Sequence, residues 1–256
     1  MISIAAEGPR GFASRRFAPF HRWDRNFFLA MVALIWLGIL MGFVPEIAAH
    51  FQKHKPPYPL IIPIHGAAFV GWLVLLTTQV LLIRARRPDI HRRLGVAGAF
   101  LAMAMIVIGP VTAIVMQRVE AGTAQADPAF VIIQFTDILG FAGLTVAALA
   151  LRGLSSSHKR LILLASMFIS DAGFARWLGG PITAWLGAGY WATFASLYLG
   201  NDVLILGLGA YDLVTRRRLH PVYLAGLAWI ASLQLTEVWI YLSPWWKPVA
   251  LRLIGH

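Results

Sequence analysis

Seven stretches of mostly apolar residues dominate this chain, each close to the ~20 residues an α-helix needs to cross the hydrocarbon of a bilayer. They run over 27–49, 60–83, 94–117, 130–151, 160–178, 189–214 and 221–243. The fifth is the least regular, because Asp171, Arg176 and Gly179-Gly180-Pro181 interrupt it. Of the whole chain, 59% is hydrophobic and 13% charged, against about 45–50% and about 25% for a soluble domain. The apolar runs leave no room for a separate soluble domain. The expected fold is all-α: a polytopic membrane bundle of about seven transmembrane helices.

Charge sets the expected orientation. Arg10, Arg15, Arg16, Arg22 and Arg25 precede the first run, and Arg84, Arg86, Arg87, Arg92 and Arg93 follow the second. Arg152, Lys159 and Arg160 follow the fourth, and Arg216, Arg217 and Arg218 the sixth. These sixteen share one side, against six on the other: Lys53, Lys55, Arg118, Arg176, Lys247 and Arg252. Cytoplasmic loops are the Lys/Arg-rich ones, so the N-terminus is expected inside and the C-terminus outside, in a bacterial cytoplasmic (inner) membrane. The net charge of +11 is explained by these loops. No aromatic–basic groove or nucleic-acid module accompanies it, so the lipid bilayer is the expected partner and nucleic acid is not. The chain has no cysteine, which excludes disulfides and thiolate metal sites. The arginine-rich first 25 residues lack the pattern of a cleavable leader, so the first run is expected to act as its own insertion signal.

Residues 1–26 read as a basic cytoplasmic tail, 27–243 as the membrane domain and 244–256 as an interfacial tail too short to cross again. Trp23, Tyr58, Trp185, Tyr190, Trp191, Trp245 and Trp246 sit near the expected helix ends, the depth that Trp and Tyr prefer. Trp245-Trp246-Lys247-Pro248 is expected to lie along the outer interface. The segments 60–117 and 130–184 read as a parallel repeat. His91-Arg92-Arg93-Leu94 is matched by His158-Lys159-Arg160-Leu161, and Gly109-Pro110-Val111-Thr112-Ala113 by Gly180-Pro181-Ile182-Thr183-Ala184. Sites in membrane proteins often lie between such copies.

His65-Gly66, Gln79, Arg84-x-Arg86-Arg87-Pro88 and His91-Arg92-Arg93-Leu94-Gly95 together resemble a bacterial multipass membrane family catalogued as a domain of unknown function. The resemblance covers residues 65–95. It implies a membrane topology and brings no assigned activity. The histidine spacing also looks similar to that of b-type cytochromes, without a specific motif behind it.

Ionisable side chains inside a membrane helix cost about 2.5–3.5 kcal/mol on insertion scales and mark sites by default. His65, Asp137, Asp171, Arg176, Asp202 and Glu237 fall in apolar runs. At 1.5 Å per residue, His65 lies roughly 8 Å and Asp137 roughly 10 Å from the outer end of its run. Asp171 and Glu237 fall at similar depth, and Asp202 lies nearer the midplane. The expected site is an outward-facing His/carboxylate cavity that binds a cation or small polar ligand and handles protons. Arg176 would be the counter-charge, paired with Asp171 or Glu237. A divalent metal is a second use of such groups, including at His50-x-x-x-His54, although Pro56-Pro57 makes a solvated loop the better reading there. The alternative class is a redox protein carrying b-type haem or quinone. His91 and His158 match in depth as axial ligands, but their basic neighbours suit a lipid-anchoring role, and His65 is about 20 Å away. A third class is a non-catalytic subunit whose polar groups only fix helix contacts. Ser155-Ser156-Ser157-His158 reads as a loop followed by a helix N-cap.

Overall fold

The structure is a computed structural model and describes residues 17–54 and 56–255. Arg10, Arg15 and Arg16 of the basic tail, and Lys55, lie outside the described residues. Within them every regular element is helical. The order is α1 (Asp24–Gln52), α2 (Ile61–Arg84), α3 (Pro88–Glu120), a 3-10 turn (Pro128–Phe130), α4 (Val131–Ala150), α5 (Ser155–Phe168), α6 (Asp171–Leu186), α7 (Tyr190–Arg216), α8 (Pro221–Tyr241) and α9 (Trp246–Ile254). Six of these helices are long and apolar enough to span a membrane, and α5 with α6, bent by 46° at their junction, brings the number to seven if the pair is one broken span and not a re-entrant loop.

That bend explains the irregularity of the fifth run, which the sequence reads as one helix over 160–178. The matched motifs of 91–113 and 158–184 open at an offset of 67 residues and close at an offset of 71. The second stretch therefore carries four extra residues, and the break at Ile169–Ser170 falls among them, whereas α3 runs unbroken. At the break the Ser170 hydroxyl donates to the Met167 carbonyl at 2.6 Å, and Asp171 opens α6, where a carboxylate suits the positive end of a helix dipole.

Sequence neighbours pack as hairpins, α2 on α3, α4 on α5 and α6 on α7, while α1 lies against α6 and α2 and α4 also meets α8. The core draws Ile35, Trp72, Met105, Phe141, Phe168, Leu208 and Ile230 from seven different helices. The α1–α6 crossing depends on glycine. A methyl group on Gly42 would collide with the Gly173 carbonyl oxygen, and one on Gly38 with the Phe174 ring. Such close backbone approach is how membrane helices associate when lipid offers no hydrophobic drive.

The outside of the bundle is apolar. On α3, Phe100, Met103 and Val107 are 69%, 63% and 62% exposed, while Arg160, Asp212, Asn201 and Glu237 are buried inside. A soluble protein rarely exposes such contiguous apolar faces, whereas in a bilayer the exposed apolar face meets lipid and ionisable groups face the bundle interior. The chain is a multi-pass helical membrane protein.

Three local expectations are corrected. Trp246 does not lie on the surface. Its side chain is buried, and its indole N–H donates to the Ala129 carbonyl at 2.8 Å, so α9 folds back on the 3-10 turn while Trp245 stays exposed. Ser155–Ser157 form the first turn of α5 and not a loop, because Ser156 turns its hydroxyl and carbonyl oxygens toward the Arg160 guanidinium, both at 2.9 Å. His50 and His54 do not share a helix face, since α1 ends at Gln52 and His50 stacks on Tyr58 with ring centres 3.9 Å apart.

Candidate functional site

Four helices bring polar groups together in the bundle. The break before α6 lets Asp171 open a new helix inside the core, where it is 3% exposed. Asp137 of α4 stands beside it, and Glu237 of α8 adjoins the Tyr198 hydroxyl of α7 and Thr136 of α4. Asn201, one turn beyond Tyr198 on α7, is fully buried. Hydrogen-bond demand here is unmet. Both Glu237 oxygens, Asp137 Oδ1, Asp171 Oδ1, the Tyr198 hydroxyl and both polar atoms of the Asn201 amide are buried without a well-formed hydrogen bond, although Asp137 faces Asp171 and Glu237 faces Tyr198 and Thr136. Buried polar groups are nearly always paired, so so many orphans in one region call for an explanation.

Of the other residues expected at this site, Asp202 lies near enough for its charge to act on Asp171, whereas His65 and Arg176 make their direct contacts elsewhere. Asp202 is half-buried and accepts from Gln234 Nε2 at 3.0 Å. His65 stacks on Phe69, with ring centres 4.2 Å apart, and its Nδ1 is buried and unpartnered. Arg176 makes its direct ion pair elsewhere, although its positive charge still acts on Asp171. Its guanidinium reaches Glu46 of α1 at 2.7 Å and lies over the Phe43 ring. Helix geometry explains this, because five residues along a helix turn Arg176 roughly 140° from the face that carries Asp171.

Among the described residues no three His, Asp or Glu side chains gather closely enough to hold a metal ion. A cavity of ≈ 170 Å³ lies elsewhere, between the end of α3, the loop before α4 and α9, and is lined by residues such as Gln117, Pro128 and Leu251. None of the buried acids lines it. His91 and His158 do come together, with ring centres 6.3 Å apart and planes at 87°.

At the end of the bundle where α5 begins lies a second charged region that the sequence reading missed. Arg160 and Asp212 are both fully buried and joined by two hydrogen bonds, Nε to Oδ2 at 2.8 Å and Nη2 to Oδ1 at 2.5 Å. Asp24 accepts from Lys159, Arg216 and the Tyr211 hydroxyl. The Phe17 ring lies under the Arg160 and Arg216 guanidinium groups. His220 precedes α8 and caps it, its Nδ1 accepting from the Val222 N–H at 3.2 Å. Burial, and then the positive charge of Arg160, push the His220 ring down to about 4, so at neutral pH it is the uncharged acceptor a cap needs. The signal in the sequence was Asp212, an acid four residues before Arg216 on a side otherwise rich in bases. Counting charges per side conceals such a pair.

No family model matches the chain, and neither a curated protein nor a solved structure matches it.

Proposed function

We propose that this protein uses the Asp137–Asp171–Glu237 cluster to bind protons or a monovalent cation inside the membrane. One observation carries the reading: the buried carboxyl groups of Asp137 on α4, Asp171 on α6 and Glu237 on α8 lie near enough to act on one another and on the Tyr198 hydroxyl, inside the bundle. Neighbouring carboxylates out of water repel each other when all are ionised, so the cluster is occupied by a proton or a cation whenever it is folded. Among the described residues no three His, Asp or Glu side chains gather closely enough to hold a metal ion, which favours the proton as occupant; a monovalent cation would have to draw on further oxygens such as the Tyr198 hydroxyl. His65 stacks on Phe69 away from the acids, and Arg176 pairs with Glu46 of α1.

The orientation follows the charge count, with the N-terminus in the cytoplasm and α9 at the outer face of a bacterial inner membrane. Residues 60–117 and 130–184 form the two copies of a parallel repeat, and the acids lie in and beside the second copy. The resemblance of residues 65–95 to a bacterial multipass family of unknown function is compatible with this arrangement.

Thermal unfolding of the detergent-solubilised protein tests the reading across pH and in sodium, lithium, potassium and choline chlorides. The midpoint is expected to depend on one small cation or on protons, and the dependence is expected to vanish in Glu237→Gln and Asp171→Asn while Asp202→Asn keeps it. Equal dependence in wild type and Glu237→Gln would overturn the reading.

A further inference from the structure

We propose that His91 and His158 together ligate one transition-metal centre at the end of the bundle where α3 and α5 begin. The site is independent of the acid cluster. The two histidines open the matched motifs His91-Arg92-Arg93-Leu94 and His158-Lys159-Arg160-Leu161, so corresponding residues of two helix hairpins face each other. Their ring centres are 6.3 Å apart and their planes are nearly perpendicular at 87°. Two imidazoles on opposite sides of a single metal, with metal–nitrogen bonds of about 2.0–2.1 Å, have ring centres about 6 Å apart. The observed pair has this separation without any movement of the helices.

The hydrogen bonds around the rings fit the same role. His158 Nδ1–H donates to the Ala148 carbonyl at 2.9 Å, which puts a proton on Nδ1 and leaves Nε2 as the nitrogen that a metal would take. A backbone carbonyl on the far nitrogen is the usual support of a metal-ligating histidine. On the other side, Gln79 Nε2 donates to the His91 carbonyl at 3.1 Å and ties α2 to the start of α3. His91 Nδ1 and Gln79 Oε1 are both buried with no partner. Gln79 Oε1 is an acceptor, and His91 Nδ1 is one too when the ring carries its proton on Nε2; in that tautomer a cation satisfies the Nδ1 lone pair.

The ligand set also selects the metal. The flanking residues Arg92, Arg93, Lys159 and Arg160 are basic. The nearest acid along α3, Asp89, is paired with Arg87 at the surface. Two imidazole ligands on opposite sides, without a carboxylate or a third protein ligand, suit copper(I) or an axially ligated haem iron and not tetrahedral zinc or the hard, oxygen-seeking calcium or magnesium. Arg160 does not compete for the site, since its guanidinium is bound to Asp212.

The purified full chain is the material for the test, with His158→Asn, which retains a donor for Ala148, His91→Gln, and His65→Ala as control. Copper(I) is titrated against a chromogenic chelator, and haemin is followed by its Soret band before and after dithionite. The proposal expects one equivalent of copper(I), or a low-spin bis-imidazole haem spectrum, in wild type and in His65→Ala. Affinity is expected to fall at least tenfold in each of the other two variants, with their unfolding midpoints retained. Ion binding with no haem spectrum identifies a mononuclear ion site, and the converse identifies a haem site. Binding by neither probe, or binding unchanged in His158→Asn and His91→Gln, overturns the proposal.

Discussion

Arg160 and Arg87 are both arginines in basic stretches, and their surroundings make them different residues. Arg87 pairs with Asp89 in full contact with solvent, where an ion pair contributes little. Arg160 is fully buried against Asp212, where removing one partner strands a charge at a cost of about 3–5 kcal/mol. Asp212→Ala is therefore expected to lower unfolding resistance in detergent sharply, Asp89→Ala hardly at all, and the double change Arg160→Met with Asp212→Leu should recover most of the loss. A small effect of Asp212→Ala would show that the pair does not hold the bundle end. The sequence marks Asp137, Asp171 and Glu237 because each is an acid inside an apolar run. It does not mark Tyr198 and Asn201, since uncharged polar residues occur throughout such runs and only the rotation of α7 turns them onto the acids. Arg160 is misread for the complementary reason: the positive-inside rule counts charges by side and carries no direction for any one of them.

Six of the seven spans are legible because their length and apolarity follow from the thickness of the bilayer. The exception is the fifth, where the break between α5 and α6 depends on packing around Ser170 and on four extra residues, neither of which hydropathy records. Helix ends were also shortened in the sequence reading, since α1 and α3 continue past their apolar runs into polar turns. At this scale the crossing of α1 and α6 gives a sharp test. Gly42→Ala forces a methyl group against the Gly173 backbone, which cannot yield as a flexible side chain would. Gly66→Ala, on α2, meets nothing within 4 Å. The first is expected to destabilise by about 1–3 kcal/mol and the second to be neutral or slightly favourable, read from unfolding midpoints. Equal midpoints for the two variants would mean that α1 and α6 do not cross as described.

At the scale of the whole molecule the absence of cysteine is an experimental advantage, because any introduced thiol is the only one. Gln125→Cys, in the loop between α3 and α4, is expected to react with a membrane-impermeant maleimide on intact cells. Arg218→Cys, between α7 and α8, is expected to react only after permeabilisation, and the opposite pattern would reverse the orientation. Residues 17–23, just ahead of α1, lie across one end of the bundle. Lys159 Nζ donates to the Pro19 carbonyl, Arg216 Nε donates to the Ala18 carbonyl, and both hold Asp24. The partners of Asp24 stand 135 and 192 residues later in the chain. A ribosome adding about 5–20 residues per second delivers Arg216 some ~10–40 s after Asp24 has emerged. The first span therefore enters the membrane before the groups that fasten its start exist; Lys159 supplies the first tie, and Arg216 and Tyr211 complete it only when α7 is in place. The knot that closes the bundle joins the earliest residue of α1 to one of the latest charges to be made, so a chain truncated before Arg216 leaves its own beginning held by Lys159 alone.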